Sequence, residues 1–163
     1  TPALSEDVVK EKFVKAYNQV MEFKDRIIED INEVIKLLAD TFELDAKVVE
    51  LQNKMTVISG LVDKMIKENT KTAQDQVDFN KRYKELSNQY EADKNALDKT
   101  LEKRAYKQAQ EIKMKAYLKE IKKADNYLPE WSIDLWMLMV DSAIVNRNKT
   151  ITFKFTSGTE ITL

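Results

Sequence analysis

Two apolar stripes that advance in alternating steps of four and three constrain this chain more than any other feature. The first runs over 44–65 and the second over 79–97, with Asp93 as the polar gap in the second. This spacing is the narrow seam of a coiled coil, not the wider face of a helix packed in a globule. The seam residues are Leu44, Val48, Leu51, Met55, Ile58, Val62, Met65, Phe79, Tyr83, Leu86, Tyr90 and Leu97.

The polar stretch 69–75 separates the two stripes and predicts a turn. A short loop between helices makes them antiparallel neighbours, so folding the chain back near residue 72 places Ile58 opposite Leu86. Asp93 then falls opposite Leu51 and marks the weakest point of the seam. We expect an antiparallel arm on the order of 33 Å long. A hairpin inside an ordinary helical bundle is the alternative that the pattern leaves open.

The chain contains only 2 glycines and 2 prolines in 163 residues, while 34% of its residues are charged. So few turn-forming residues predict long uninterrupted helices. We expect helix over 5–39, capped by Ser5 and jointed near 22–25. A capping box at Asp40 and Glu43 predicts the start of the next helix, and the last long helix continues to Pro129.

The hydrophobic period changes near the end of the chain. A short Trp-rich helix behind Ser132 is followed by three β-rich runs at 144–145, 151–155 and 160–163. Because so small a ribbon is marginal alone, it should pack on that helix or complete a sheet whose other strands lie outside this chain. The fold class is therefore mainly α, a long antiparallel coiled-coil hairpin on a helical base with a small C-terminal β-ribbon. The expected divisions are helical base 1–43, arm 44–105 with tip 69–75, helical base 106–142 and ribbon 143–163.

The composition excludes several kinds of chemistry. With Cys 0 and His 0 there is no disulfide, thiol nucleophile, Cys/His zinc site or catalytic imidazole. Gly60 and Gly158 alone cannot build a Gly-rich phosphate loop. No apolar run approaches the length of a membrane span, and no signal peptide is visible. We expect a cytoplasmic, non-enzymatic fragment without metal, cofactor, small-molecule substrate or membrane partner. Its start at Thr1 rather than Met suggests a piece of a longer protein.

The predicted turn carries candidate residues for contact with a partner protein. Met65 and Phe79 are explained by the seam, whereas Ile66 and Val77 are not needed by it. Isolated exposed apolar residues are common on protein surfaces, which is the alternative explanation. The candidate contact residues are Ile66, Asn69, Thr70, Ala73 and Val77.

Basic residues form two candidate groups for contact with DNA phosphates. Lys99, Lys103 and Lys107 recur every four residues and so share one helix face. A second group lies on the predicted ribbon and consists of Arg147, Lys149 and Lys154. A solvated helix surface is the commoner explanation of the first group, and three cations on a ribbon are a weak signal for groove binding.

Eight segments carry a further signal in their order and spacing, and they are 1–6, 13–18, 68–76, 83–90, 131–136, 140–141, 152–155 and 158–161. Together they resemble the C-terminal part of large serine recombinases, the site-specific integrases and transposon resolvases of mobile elements. The segments at the N-terminus are similar to the region that follows the zinc-binding cysteines of these enzymes, and the segments around the turn are similar to their coiled-coil motif. The segments at the end of the chain are similar to their closing strands.

The resemblance implies a chain that lacks its parent's catalytic serine domain, its recombinase domain and the zinc ligands of its zinc-ribbon domain. It implies that the arm binds the arm of another recombinase subunit. This contact would help to decide which sites synapse and in which direction recombination runs. It also implies a contribution to attachment-site DNA binding, weak in this fragment alone. The chain departs from many relatives in having Lys149 where they have Gly. The alternative function is a free-standing helical interaction module with no DNA role.

Overall fold

The computed structural model describes residues 4–71 and 75–163, and it confirms the mainly α fold with a long antiparallel coiled-coil hairpin and a small β-ribbon. The described chain forms two compact units. We call Leu38–Gln110 the hairpin unit and the other described residues the core unit. The elements are α1 Glu6–Met21, α2 Lys24–Ala39, α3 Phe42–Lys71, α4 Gln76–Lys123, α5 Ile133–Met139, β1 Val140–Val145, β2 Ile151–Phe155 and β3 Glu160–Thr162.

Within the hairpin unit, α3 pairs with the first part of α4 in antiparallel orientation. Ile58 and Val62 line the same groove as Leu86 and Tyr90, in the middle of the seam. The most buried hairpin side chains are Leu51 at 2% exposure, and Val48 and Ile58 at 7% each. Leu51 is therefore well covered, and the weak point expected opposite Asp93 is not visible in its burial.

Each helix of the hairpin begins with a side-chain cap. At the start of α4, the Asp75 carboxylate accepts from the Val77 backbone N–H at 2.8 Å. The start of α3 differs from the predicted capping box. Asp40 accepts from the Phe42 N–H at 3.2 Å, and the Thr41 hydroxyl donates to Asp45 at 2.8 Å. The Asp40–Glu43 box is thus replaced by a local turn around Thr41.

The core unit is built around aromatic rings. Phe13 on α1 lies 5.3 Å from Trp131, 5.1 Å from Trp136 and 6.4 Å from Phe153, measured between ring centroids. These rings join α1 to α5 and β2. The remaining core is apolar, and Tyr117, Leu118 and Ile121 of α4 belong to it.

The three strands form one antiparallel sheet in the order β1-β2-β3. Ile151, Phe153 and Phe155 of β2 are buried on the side that faces the core. The turn between β1 and β2 places Lys149 at φ 64°, the left-handed region in which Gly is normally favoured.

Helix boundaries in the core unit include one wrong prediction and one that is confirmed. The joint between α1 and α2 lies where it was expected, after Met21. However, α4 ends at Lys123, not at Pro129. Tertiary contacts explain the earlier end, because the Tyr17 hydroxyl donates to the Asp125 carbonyl at 2.7 Å, and Lys24 donates to the Ala124 carbonyl at 2.6 Å.

Ser5 occupies the predicted N-cap position of α1, but its side chain makes no capping hydrogen bond. The first turn is instead supported by an ion pair between Glu6 and Lys10 at 2.6 Å. This pair lowers the pKa of the Glu6 carboxyl from its usual value. The first turn of α1 thus carries the acidic residues that favour a helix N-terminus, while the predicted hydroxyl cap is absent.

Candidate functional site

The turn end of the hairpin exposes apolar side chains that the seam does not use. We define the hairpin end as the described residues between 66 and 79. Val77 is 78% exposed in the first turn of α4, and Ile66 is 44% exposed on α3. By contrast, Phe79 is half-buried and stacks on Tyr83 at 6.3 Å, with the two rings 15° from parallel. The structure thus separates the seam residues from the two contact candidates.

Two other contact candidates at the hairpin end make hydrogen bonds within the hairpin. The Gln76 side-chain amide donates to the Asn69 side-chain oxygen at 3.4 Å, which links α4 to α3. The Thr70 hydroxyl donates to the Lys67 carbonyl of its own helix at 2.7 Å. Ala73, the fifth candidate, lies outside the described residues. Val77 and Ile66 are therefore the side chains best placed to meet a partner.

The opposite end of the hairpin unit holds a set of polar links between α3 and α4. Arg104 pairs with Asp45 at 3.1 Å, and the Lys107 ammonium donates to the Asp40 carbonyl at 2.5 Å. Lys107 is thus half-buried and engaged, although the sequence made it a candidate for DNA contact. Lys99 and Lys103 are exposed, so the three lysines of this face do not share one environment.

An open hollow of about 820 Å³ lies beside those links and was not anticipated from the sequence. It is lined by Phe42 and Tyr106, which are 78% and 66% exposed, together with carboxylates from both helices and two lysines of α4. The signal that could have identified it is the presence of two aromatic residues just outside the seam positions, one before Leu44 and one after Leu97.

The second basic group lies on the sheet and its turn. Arg147 and Lys149 are exposed in the β1–β2 turn, and Lys154 is exposed on the face of β2 away from the core. Among the described residues, none of these three side chains forms an ion pair with a carboxylate within 4.0 Å. Their charges are available to an anionic partner.

Many cations of the helices are already paired, in contrast to this group. Glu50 on α3 binds Lys54 at 2.6 Å and Lys47 at 2.9 Å. The hydrogen bonds from the two ammonium groups lower the pKa of the Glu50 carboxyl to about 2. Lys115 and Lys123 are likewise paired, with Glu111 and Glu120. These lysines are therefore less available to an anionic partner than the three cations of the sheet and its turn.

Residues 4–71 and 75–163 contain neither a cluster of metal-ligand side chains nor a membrane-spanning helix. No group of three acidic side chains converges as metal ligands would. Nor does any helix in these ranges combine the length and the apolar character needed to cross a bilayer.

No protein-family model, curated protein or solved structure matches the chain.

Proposed function

We propose that this chain is the non-catalytic C-terminal segment of a large serine recombinase, in which the hairpin end binds another recombinase subunit. The proposal starts from the ordered resemblance of the sequence segments to that family. It is supported by an antiparallel hairpin of the expected type and by exposed cations on the small sheet. In this role the chain carries contacts for synapsis and adds to attachment-site DNA binding.

The observation that carries the proposal is the exposure of Val77 and Ile66. Neither side chain is used by the seam, and both lie within two helical turns of the hairpin's turn. Burial of an apolar side chain of this size contributes about 1.5–3 kcal/mol when it is complete. Two such side chains on each protomer give a weak contact, which is suited to subunits that are already held together on DNA.

The DNA part of the proposal depends on Arg147, Lys149 and Lys154. Three cations that each neutralise one phosphate give a slope of about −2.7 in log affinity against log salt concentration. Such binding is weak and insensitive to sequence, so sequence recognition belongs to other parts of the parent. A chain that carries the triple substitution to Gln should lose most of this slope.

The test of the subunit contact is Val77→Asp, combined with Ile66→Asp, in the full recombinase that carries this chain. A buried carboxylate in an apolar contact is costly, so we expect at least a tenfold loss of synaptic complexes on native gels. DNA binding by each subunit should stay unchanged. The matched control is Val49→Asp, because Val49 is 56% exposed on α3 and lies outside the seam. Equal synapsis by the tip variant and the control would refute the proposed contact.

The free-standing interaction module remains the second candidate, because some polar side chains of the sheet and of its β1–β2 turn bond to one another. The Thr152 and Thr162 hydroxyls lie 2.9 Å apart, and the Asn146 amide donates to Thr150 at 2.9 Å. Self-association of the chain that depends on Val77, together with no DNA binding even at low salt, would favour this second candidate.

A further inference from the structure

The outer edge of β1 carries backbone groups that no strand pairs with. The sheet order β1-β2-β3 leaves this strand at one side of the sheet. The Asn146 N–H donates to the Thr150 carbonyl at 2.8 Å, and the bonded positions alternate in an antiparallel ladder. Ile144 therefore bonds to β2, whereas the N–H and C=O groups of Ala143 and Val145 point away from it. No hydrogen bond reaches these outward groups from any residue that the structure describes.

The middle of this edge is uncovered on both faces of the sheet. Ile144 lies on the outer face, opposite Thr152, and its side chain is 60% exposed. Ala143 lies on the inner face, opposite Phe153, and is also exposed. An exposed apolar edge of this kind is a template for pairing with another strand. Because neither residue is covered, a neighbouring strand can lie beside β1 in the plane of the sheet.

Charges of opposite sign lie at the two ends of the edge. Asp141 is exposed near the start of β1, where a bulge interrupts the ladder, and Arg147 is exposed in the turn that follows the strand. Neither side chain forms an ion pair with another described residue. Lys149 adds a second positive charge in the same turn, while Lys154 is on β2 opposite Ser142, one strand in from the edge. The edge itself is therefore acidic at one end and basic at the other.

We propose that β1 pairs in antiparallel orientation with β1 of a second copy of this chain, about a two-fold axis at Ile144. This register sets Ala143 of each copy opposite Val145 of the other, so that all the outward N–H and C=O groups of these residues are bonded. It also sets Ile144 opposite Ile144 of the second copy, at a position where opposed side chains lie closest together. Asp141 of each copy then lies near Arg147 of the other.

A second copy is favoured over an unrelated strand because the edge is complementary to itself. Antiparallel pairing about Ile144 places the acidic end of one copy at the basic end of the other. The contact is much smaller than a stable dimer interface, so the association should be weak. It depends neither on the hairpin end nor on the proposed recombinase function. Arg147 is also one of the cations proposed to contact DNA, so the test is made without DNA.

The test is sedimentation equilibrium of the chain over a range of concentrations, with Ile66→Asp and Val77→Asp present to remove the hairpin-end contact. We expect a concentration-dependent dimer in this background. Ile144→Lys should weaken the dimer at least tenfold, because two ammonium groups replace the isoleucine pair. The matched control is Ile133→Lys, since Ile133 is 57% exposed on α5 of the same unit, and the dimer should be unchanged. A chain that stays monomeric, or a dimer that Ile144→Lys leaves intact, would overturn the proposal.

A charge exchange in the same background tests the register. Asp141→Arg and Arg147→Asp each bring like charges together in the dimer, and each should weaken association by about fivefold. The two substitutions in one chain restore opposite charges at both ends without changing the net charge, and should return the dimer to its original strength. Both positions are exposed, so the fold should tolerate these changes. If the double variant associates no more tightly than either single variant, the proposed strand pairing is wrong.

Discussion

The core unit and the hairpin unit hold their helices together in different ways. The largest fully buried side chains, among them Phe13, Tyr17 and Phe153, all belong to the core unit. In the hairpin, Tyr83 is 45% exposed although it is a seam residue, and Leu51 is the most deeply buried. Since stability follows apolar burial, the core unit should be the more stable of the two. The hairpin folds even with exposed apolar residues, because its helices need to bury only the residues of a narrow seam.

The largest expected effect is that of Phe13→Ala, which sharpens this comparison. Phe13 is fully buried and contacts both tryptophans, so its truncation should lower the free energy of unfolding by about 4 kcal/mol. Urea unfolding followed by tryptophan fluorescence measures the loss. Phe23→Ala is the control, because Phe23 is 62% exposed and its loss should change stability by less than about 0.5 kcal/mol. A loss below about 1 kcal/mol for Phe13→Ala would contradict the assigned core.

Much of this architecture follows from local sequence patterns. The four-three steps of the two stripes predict the hairpin, because a seam of that width requires a partner helix. The Asp75 and Ser132 caps are readable for the same reason, since each hydrogen bond joins residues two or three positions apart. Helix starts and the pairing of the two stripes can thus be predicted from residues that lie close together in the sequence.

The features that the sequence did not reveal depend on contacts between distant residues. The end of α4 at Lys123 is set by Tyr17 and Lys24, which are about a hundred positions away in the chain. The engagement of Lys107 with the Asp40 carbonyl also joins distant positions, and it removed one candidate from the predicted basic face. An open groove beside β3 also combines the α1–α2 joint with the last strand. The periodicity of apolar residues within one helix or strand does not predict contacts between residues so far apart in the chain.

The second prediction concerns the hairpin and is smaller. Leu51→Ala should lower the local stability of α3 by about 2–3 kcal/mol, because Leu51 is 2% exposed but lies in a two-helix seam with few layers around it. Amide hydrogen exchange along α3 measures the change. The matched control is Val49→Ala on the same turn, where the side chain is 56% exposed. If Leu51→Ala destabilised the chain more than Phe13→Ala, the proposed ranking of the two units would be wrong.

The third prediction uses pH to separate the units. Burial raises the pKa of the Tyr117 hydroxyl to about 12, with a smaller contribution from Tyr17 in the same direction and an opposing one from a hydrogen bond with Ser157. The unfolded chain loses this proton near pH 10, whereas the folded chain keeps it. The folded state therefore binds more protons above pH 10, and its stability must fall as the pH rises toward 12.

Tyr117→Phe removes the titrating group and should reduce this alkaline loss by roughly 2 kcal/mol, measured by urea unfolding at pH 9 and pH 11.5. Part of the loss should remain, because burial also raises the pKa of Tyr17. Tyr83→Phe in the hairpin is the control, since its side chain is 45% exposed. An unchanged alkaline loss in Tyr117→Phe would mean that the ring is wetter than its 3% exposure indicates. In that case Tyr117 would be as accessible to water as the partly exposed side chains of the hairpin, and the two units would not differ in burial at this position.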